Sequence, residues 1–172
     1  MSNEKNASHR CPECGETPSD VSLRTVRHML VPFVNQEVRD GEQYRICKVR
    51  DCPVVYFTEG GQRFTTGQIR TRVNFKLEKD TRPYPLCYCF GYGTSDVLAD
   101  LRENGETHID EWIGGRVRAG ECACEVKNPK GSCCLGDVRE AIEALKSEDT
   151  ENEPPDGGPN RCCFQENEVF EE

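Results

Sequence analysis

The pattern of hydrophobic and polar positions differs between the two halves of this 172-residue chain. In the first half, residues 54–57 and 62–65 are short β-favouring runs, with a pair of glycines at 60–61 between them. Two such runs around a glycine pair predict a β-hairpin. Alternating polar and apolar residues over 72–77 predict a further strand, whereas residues 21–30 are compatible with either a helix or a strand.

In the second half, apolar residues recur at the three- and four-residue spacing of amphipathic helices. Three stripes have this spacing: Val97, Leu98 and Leu101; Ile109, Trp112, Ile113 and Val117; and Leu135, Val138, Ile142 and Leu145. Thr94, Ser95 and Asp96 provide N-capping side chains for the first helix, and Gly120 is suited to end the second. We expect Trp112 to anchor the core between these helices.

Charge and proline content divide the chain further. Residues 82–85 (Arg-Pro-Tyr-Pro) form a stiff, non-helical joint. From residue 147 onward there are nine acidic residues and one basic residue, with almost no aliphatic side chains, so we expect disorder there. The remainder is close to neutral without a dominant basic face, which argues against a nucleic-acid partner. The fold class predicted is α+β: a small β-rich module at 9–82, a small all-α module at 83–146 and a disordered acidic tail at 147–172.

The chain has twelve cysteines but a hydrophobic fraction of only 35%, so modules this small need covalent or metal cross-links. Its first six residues are polar and lack the apolar region of a signal peptide. No apolar stretch is long enough to span a membrane, so we expect no membrane insertion. These features predict a cytoplasmic protein, in which paired cysteines indicate metal ligands or redox groups rather than disulfides.

The first cysteine group consists of two pairs, Cys11 with Cys14 and Cys47 with Cys52. Two intervening residues let a tight turn place both sulfurs about 3.5–4 Å apart, close to the edge of a tetrahedral thiolate site. Gly15 is suited to the left-handed position that closes such a turn. Four thiolates without an open position predict a structural zinc ion in a zinc-ribbon-like module.

Other interpretations of this group remain open. Tetrathiolate iron of the rubredoxin type uses similar turns. The Cys11–Cys14 spacing also occurs in thioredoxin-type redox pairs, although no βαβ pattern follows it and a second pair is present. His28 could replace one thiolate, but we favour a surface or partly buried histidine, and His9 belongs with the N-terminal segment.

A second group of cysteines lies in the helical half: Cys87, Cys89, Cys122, Cys124, Cys133 and Cys134. The C-x-C spacing of Cys87 and Cys89 is suited to binding or flanking one iron, and later cysteines would bind a second iron. The loops run into predicted helix starts, where free N–H groups and partial positive charge stabilise an anionic cluster. We therefore predict a [2Fe–2S] cluster on Cys87, Cys89, Cys124 and Cys134, with Cys122 and Cys133 as alternates.

These motifs resemble a known family. The segments CYCFGYGTSDV and CCLGDV are similar to the bacterioferritin-associated-ferredoxin-like [2Fe–2S] domain. Residues 11 to about 145 resemble the N-terminal domain of archaeal-type CopZ copper chaperones, through the segments RCPEC, CPVVYF, CYCF and CCLGDV. The resemblance implies a zinc module followed by a [2Fe–2S] module, and a link to copper trafficking and reduction.

The chain departs from that family near its C-terminus. Its two methionines, Met1 and Met29, do not lead the MxCxxC copper loop of a heavy-metal-associated domain. Cys162 and Cys163 lie in the acidic tail, where we interpret them as exposed thiols that could weakly capture a soft metal ion. Copper delivery by the family's usual loop is therefore not implied.

The function predicted is one-electron redox or metal handling, with a redox partner protein or a soft metal ion such as copper as partner. One alternative is a non-catalytic cluster module that binds or senses a protein partner, and another is iron or cluster transfer. No nucleophile–base pair, nucleotide loop or open metal site indicates conventional catalysis. An electron carrier or metallochaperone accessory is therefore favoured over an enzyme.

Overall fold

The computed structural model of the protein describes residues 10–78 and 81–151. The elements of the first half are β1 (Ser19–Asp20), α1 (Leu23–Met29), α2 (Pro32–Asn35), β2 (Tyr44–Ile46), β3 (Val54–Thr58) and β4 (Arg63–Thr65), with 3₁₀ turns at Thr66–Gln68 and Asn74–Lys76. Those of the second half are β5 (Pro85–Cys87), β6 (Tyr92–Gly93), α3 (Thr94–Asn104), α4 (Ile109–Arg118), α5 (Cys124–Lys127) and α6 (Leu135–Glu151). The mixed α+β class is confirmed. Within the described ranges no helix is long and apolar enough to cross a membrane.

The first half is built on a four-stranded antiparallel sheet in the order β1-β2-β3-β4. The predicted hairpin is confirmed, since β3 pairs with β4 and Tyr56 lies opposite Phe64. Strand β3 is buried along its whole length. Val55 and Tyr56 belong to the main apolar cluster, whereas Val54 and Phe57 belong to a smaller cluster formed with cysteines. One buried strand therefore separates the core from the first cysteine group.

Two segments of the first half for which the sequence allowed or predicted a strand have helical structure instead. Residues 21–30 contain helix α1, because the Ser22 Oγ accepts the backbone N–H of Thr25 at 3.1 Å and caps the helix. The strand predicted at 72–77 is wrong, since a 3₁₀ turn occupies 74–76. The Asn74 side chain accepts the backbone N–H of Phe75 at 2.8 Å, a local bond that competes with sheet pairing.

The second half follows the three predicted apolar stripes, which lie in α3, α4 and α6 and share one buried cluster. The N-cap of α3 is Gly93 rather than one of the three predicted capping residues. Of these, Asp96 acts from the first turn, where its carboxylate accepts the N–H of Gly93 at 2.8 Å. The prediction of an all-α module is wrong, because β5 and β6 form a short antiparallel pair with Cys87 opposite Tyr92. This pairing places the start of the C-x-C segment, Cys87, near the start of α3.

Trp112 is not the core residue that we expected. It is 43% exposed and lies against the edges of two aromatic rings, with ring centroids 5.4 Å from Phe90 and 5.5 Å from Tyr92. The Arg116 guanidinium lies 4.8 Å from the centre of its ring. Ile109 and Ile113 fill the buried stripe of α4 instead, so the indole sits at the edge of this stripe rather than within it.

The predicted tail begins too early at residue 147, because α6 continues to residue 151. Ser147 donates to the carbonyl of Glu143 at 3.0 Å, and Arg82 donates to the Glu148 carboxylate at 2.6 Å. These bonds extend the helix beyond its last apolar residue. The rest of the predicted tail, including Cys162 and Cys163, lies outside the described residues, as does His9.

The main core of the first half draws on residues 21 to 73, and that of the second on residues 86 to 145. The halves contact each other where the loop after α5 passes over α1. A β-carbon added to Gly131, whose φ is +66°, would meet the Thr25 Oγ1 at 2.5 Å. The division at 82 stays a prediction.

We expect Gly131→Ala to destabilise the protein more than a control at an equally positive φ. Gly105 has a φ of +75° and nothing within 4 Å of an added β-carbon. Gly105→Ala should cost about 1–2 kcal/mol for the left-handed backbone, and Gly131→Ala a further 1–3 kcal/mol or so for overpacking. Urea unfolding of the two variants measures this difference, and equal stabilities would contradict the close approach.

Candidate metal centres

The first thiol-bearing turn, called here the first knuckle, comprises residues 11–15. The N–H of Gly15 donates to the carbonyl of Cys11 at 2.9 Å, and the N–H of Cys11 donates to the carbonyl of Glu16 at 3.0 Å. Gly15 has a φ of +74°, the left-handed conformation expected from the sequence. The turn therefore directs Cys11 and Cys14 toward one point.

The second knuckle comprises residues 47–52 and connects β2 to β3. The N–H of Cys47 donates to the carbonyl of Val55 at 2.9 Å, which extends the strand pairing into the knuckle. The Lys76 ammonium donates to the carbonyls of Val49 at 2.6 Å and Cys52 at 3.0 Å. The 3₁₀ turn at 74–76 thus supports this knuckle, a role that the sequence did not reveal.

The two knuckles bring together the sulfurs of Cys11, Cys14, Cys47 and Cys52, which all lie within 4.8 Å of one another. The Cys11 and Cys52 sulfurs are 3.8 Å apart, and those of Cys14 and Cys47 are 3.6 Å apart. These separations match the edges of a tetrahedron with metal–sulfur bonds of about 2.3 Å. In the described part of the chain, no other group of three or more Cys, His, Asp or Glu side chains has its ligand atoms this close together. His28 lies outside it, exposed on α1.

Without a bound cation, burial in this group disfavours the ionisation of all four thiols at once. Burial raises the pKa of Cys52 to about 12 and also raises the pKa of Cys47. At Cys11 burial acts in the same direction, but backbone N–H groups of Cys14 and Glu13 outweigh it and lower the pKa. A bound cation would compensate the clustered negative charge and displace the protons.

The structure also brings together four cysteines of the second half. Cys87 ends β5 and Cys89 follows in the loop, whereas Cys124 begins α5 and Cys134 immediately precedes α6. The Cys89 and Cys124 sulfurs are 3.4 Å apart, and the Cys134 thiol lies close enough to Cys87 to lower the pKa of Cys87. Each cysteine of the C-x-C segment therefore pairs with a cysteine from the later loop.

Backbone donors surround these sulfurs. The N–H of Ala123 donates to the Cys89 sulfur at 3.3 Å. The hydrogen bond from the Cys134 thiol lowers the pKa of Cys87 to about 6, and the N–H groups of Phe90 and Cys89 act in the same direction. The pKa of Cys134 rises because it donates this bond, and burial raises the pKa of Cys124. Such donors stabilise negative sulfur, as an iron–sulfur cluster requires.

Cys122 and Cys133 are placed differently from their neighbours. Cys133 is exposed and Cys122 is half-buried, whereas Cys124 and Cys134 are buried. The 3.4 Å sulfur–sulfur contact in this half joins Cys89 to Cys124 and not to Cys122. Cys124 begins α5 and Cys134 immediately precedes α6, whereas Cys122 and Cys133 lie in the loops before them. All ten described cysteines are free thiols.

The comparisons with known proteins agree with the first centre. Residues 8–70 match the family model of a zinc-binding domain, zf_CopZ. The chain is also similar to the X-ray structure of the Archaeoglobus fulgidus CopZ N-terminal domain, with 29% identity and a TM-score of 0.59. That match covers 76% of this chain and 95% of the other. No curated protein matches. Residues 8–70 are thus similar to a zinc-binding domain, and they contain the four-cysteine group.

The rate of thiol labelling distinguishes an exposed free thiol from an exposed thiol that binds a metal. Cys14 and Cys133 are both exposed, but only Cys14 belongs to the four-sulfur group. Because a metal-bound thiolate reacts slowly, we expect iodoacetamide to modify Cys133 well before Cys14 in the native protein. Peptide mass spectrometry measures both rates, and a chelator under denaturing conditions should equalise them. Equal labelling before chelation would show that Cys14 binds no metal.

Proposed function

We propose that this protein binds one zinc ion through Cys11, Cys14, Cys47 and Cys52, and one [2Fe–2S] cluster through a second set of four thiols. The second set is Cys87, Cys89, Cys124 and Cys134. The proposed function is one-electron transfer in metal handling, with copper as the metal that the resemblance to CopZ suggests. The observation that supports it best is the pair of close thiol contacts beside two helix starts, immediately after a zinc-binding domain.

The first centre suits a structural metal. Four sulfurs fill a tetrahedron and leave no position for water or substrate, which is the arrangement of structural zinc sites. Three of these cysteines are buried, together with Val54 and Phe57. Removing the metal would leave buried thiols in place of a cross-link between two knuckles that are far apart in sequence.

The second centre fits a binuclear cluster better than a single ion. Its four thiols form two close pairs, one for each iron, rather than one compact tetrahedron. When bound, a [2Fe–2S] cluster supplies one electron at a time. Cys87 and Cys134 are buried, whereas Cys89 is only partly covered, so the Cys89 side offers the shortest path for an electron to a partner.

Metal analysis together with EPR spectroscopy tests this function. We expect about two irons and one zinc per chain, and a rhombic [2Fe–2S] signal after reduction. Reversible reduction at physiological potentials, with electron transfer to Cu(II) or to a redox protein, would support electron transfer. A cluster that cannot be reduced reversibly would favour a structural or sensing role. A colourless protein without iron would contradict the assignment of the second centre.

Serine substitutions test the ligand assignment by matched neighbours. Cys124→Ser and Cys134→Ser each remove a buried thiol from a sulfur pair, so we expect loss of most of the iron and of the visible spectrum. Cys122→Ser and Cys133→Ser are the controls, and both should retain about two irons per chain. If Cys122→Ser loses the cluster and Cys124→Ser keeps it, Cys122 is the ligand instead of Cys124. The same comparison decides between Cys133 and Cys134. Zinc content should stay unchanged in all four variants.

A further inference from the structure

Tyr88 is the one residue between Cys87 and Cys89, and its hydroxyl contacts the zinc-binding half. The hydroxyl donates to the carbonyl of Arg72 at 2.7 Å and accepts the backbone N–H of Asn74 at 3.0 Å. The C-x-C segment is therefore fixed at its centre to residues 72–74.

Residues 72–74 lead directly into the 3₁₀ turn that supports the second knuckle. The N–H of Lys76 donates to the carbonyl of Val73 at 2.9 Å, which closes this turn. The ammonium of the same lysine donates to the carbonyls of Val49 and Cys52 in the knuckle. A short series of hydrogen bonds thus connects Cys52 of the first centre with Cys87 and Cys89 of the second.

A second hydroxyl makes an equivalent connection to the other cysteine loop. Tyr56 lies on β3, four residues after Cys52, and is completely buried. Its hydroxyl donates to the carbonyl of Pro129 at 2.6 Å. Pro129 lies midway between Cys124 and Cys134, in a loop that the Asn128 amide also fixes by donating to Ser132 at 2.7 Å. Both cysteine loops of the second centre are thus bonded to the zinc-binding half.

We propose that Tyr88 and Tyr56 are positioning residues, which set the spacing of the two cysteine loops and make the iron–sulfur cluster dependent on the zinc-binding half. This inference rests on the proposed function. It goes beyond that function because it assigns the zinc-binding half a specific task at the second centre. Since each loop supplies one sulfur to each thiol pair, movement of either loop changes both pairs at once.

The test uses Tyr88→Phe and Tyr56→Phe in the full-length, metal-loaded protein. Tyr88→Phe removes two inter-half hydrogen bonds and Tyr56→Phe removes one, and both changes keep the aromatic ring. From the typical contribution of one such bond, we expect each variant to release iron to a chelator at least about fivefold faster. We also expect a shifted reduction potential and altered EPR g-values, which a loss of overall stability alone would not produce. Zinc content should remain at the wild-type level.

Tyr44→Phe is the matched control. Tyr44 is as deeply buried as Tyr56, and its hydroxyl accepts the N–H of Arg39 at 3.0 Å, entirely within the first half. This variant should lose comparable stability but keep the wild-type potential, g-values and iron release. Lys76→Met, which leaves all cysteines in place, should reproduce the Tyr88→Phe spectrum in weaker form.

The outcomes separate the two proposals. If the wild-type protein holds a cluster, and Tyr88→Phe and Tyr56→Phe match Tyr44→Phe in potential, g-values and iron release, the positioning role is overturned while the proposed function stands. If the wild-type protein holds no iron, both fall. Tyr88 is only half-buried in the wild-type protein. If Tyr56→Phe fails to fold, Tyr88→Phe therefore still tests the positioning role.

Discussion

The structure depends on the convergence of cysteine sulfurs that are far apart in sequence. Four of them lie within 4.8 Å of one another, although more than thirty residues separate the two knuckles that supply them. Burial raises the pKa of Cys52 and Cys47, so these two thiols would be protonated in the absence of a cation. A metal bound by these four sulfurs, as proposed, would cross-link the two knuckles beside the small apolar cluster around Val54 and Phe57.

The same corner organises the rest of the molecule. Strand β3 leaves the second knuckle and carries Tyr56 into the main core, where its hydroxyl reaches the loop between Cys124 and Cys134. The turn that holds Lys76 supports the knuckle on one side and receives Tyr88 on the other. The second half therefore contacts both the strand and the turn that adjoin the second knuckle.

The sequence predicted the elements that depend on local spacing. The hairpin, the three long apolar helices and the closing turn at Gly15 follow from residue periodicity and from backbone freedom at glycine. It also indicated Cys124 and Cys134 over their neighbours, the two cysteines that the structure buries against Cys89 and Cys87. What spacing could not show were contacts between distant segments. The turn at 74–76, the β5–β6 pair and the exposed position of Trp112 all depend on such contacts.

X-ray absorption spectroscopy at the zinc and iron edges of the purified protein tests whether the two cysteine groups hold two different metal centres. We expect zinc surrounded by four sulfurs at about 2.3 Å, with no nitrogen or oxygen neighbour. We expect iron with four sulfur neighbours and a second iron in the next shell. Zinc with mixed ligands, or iron without an iron neighbour, would contradict it.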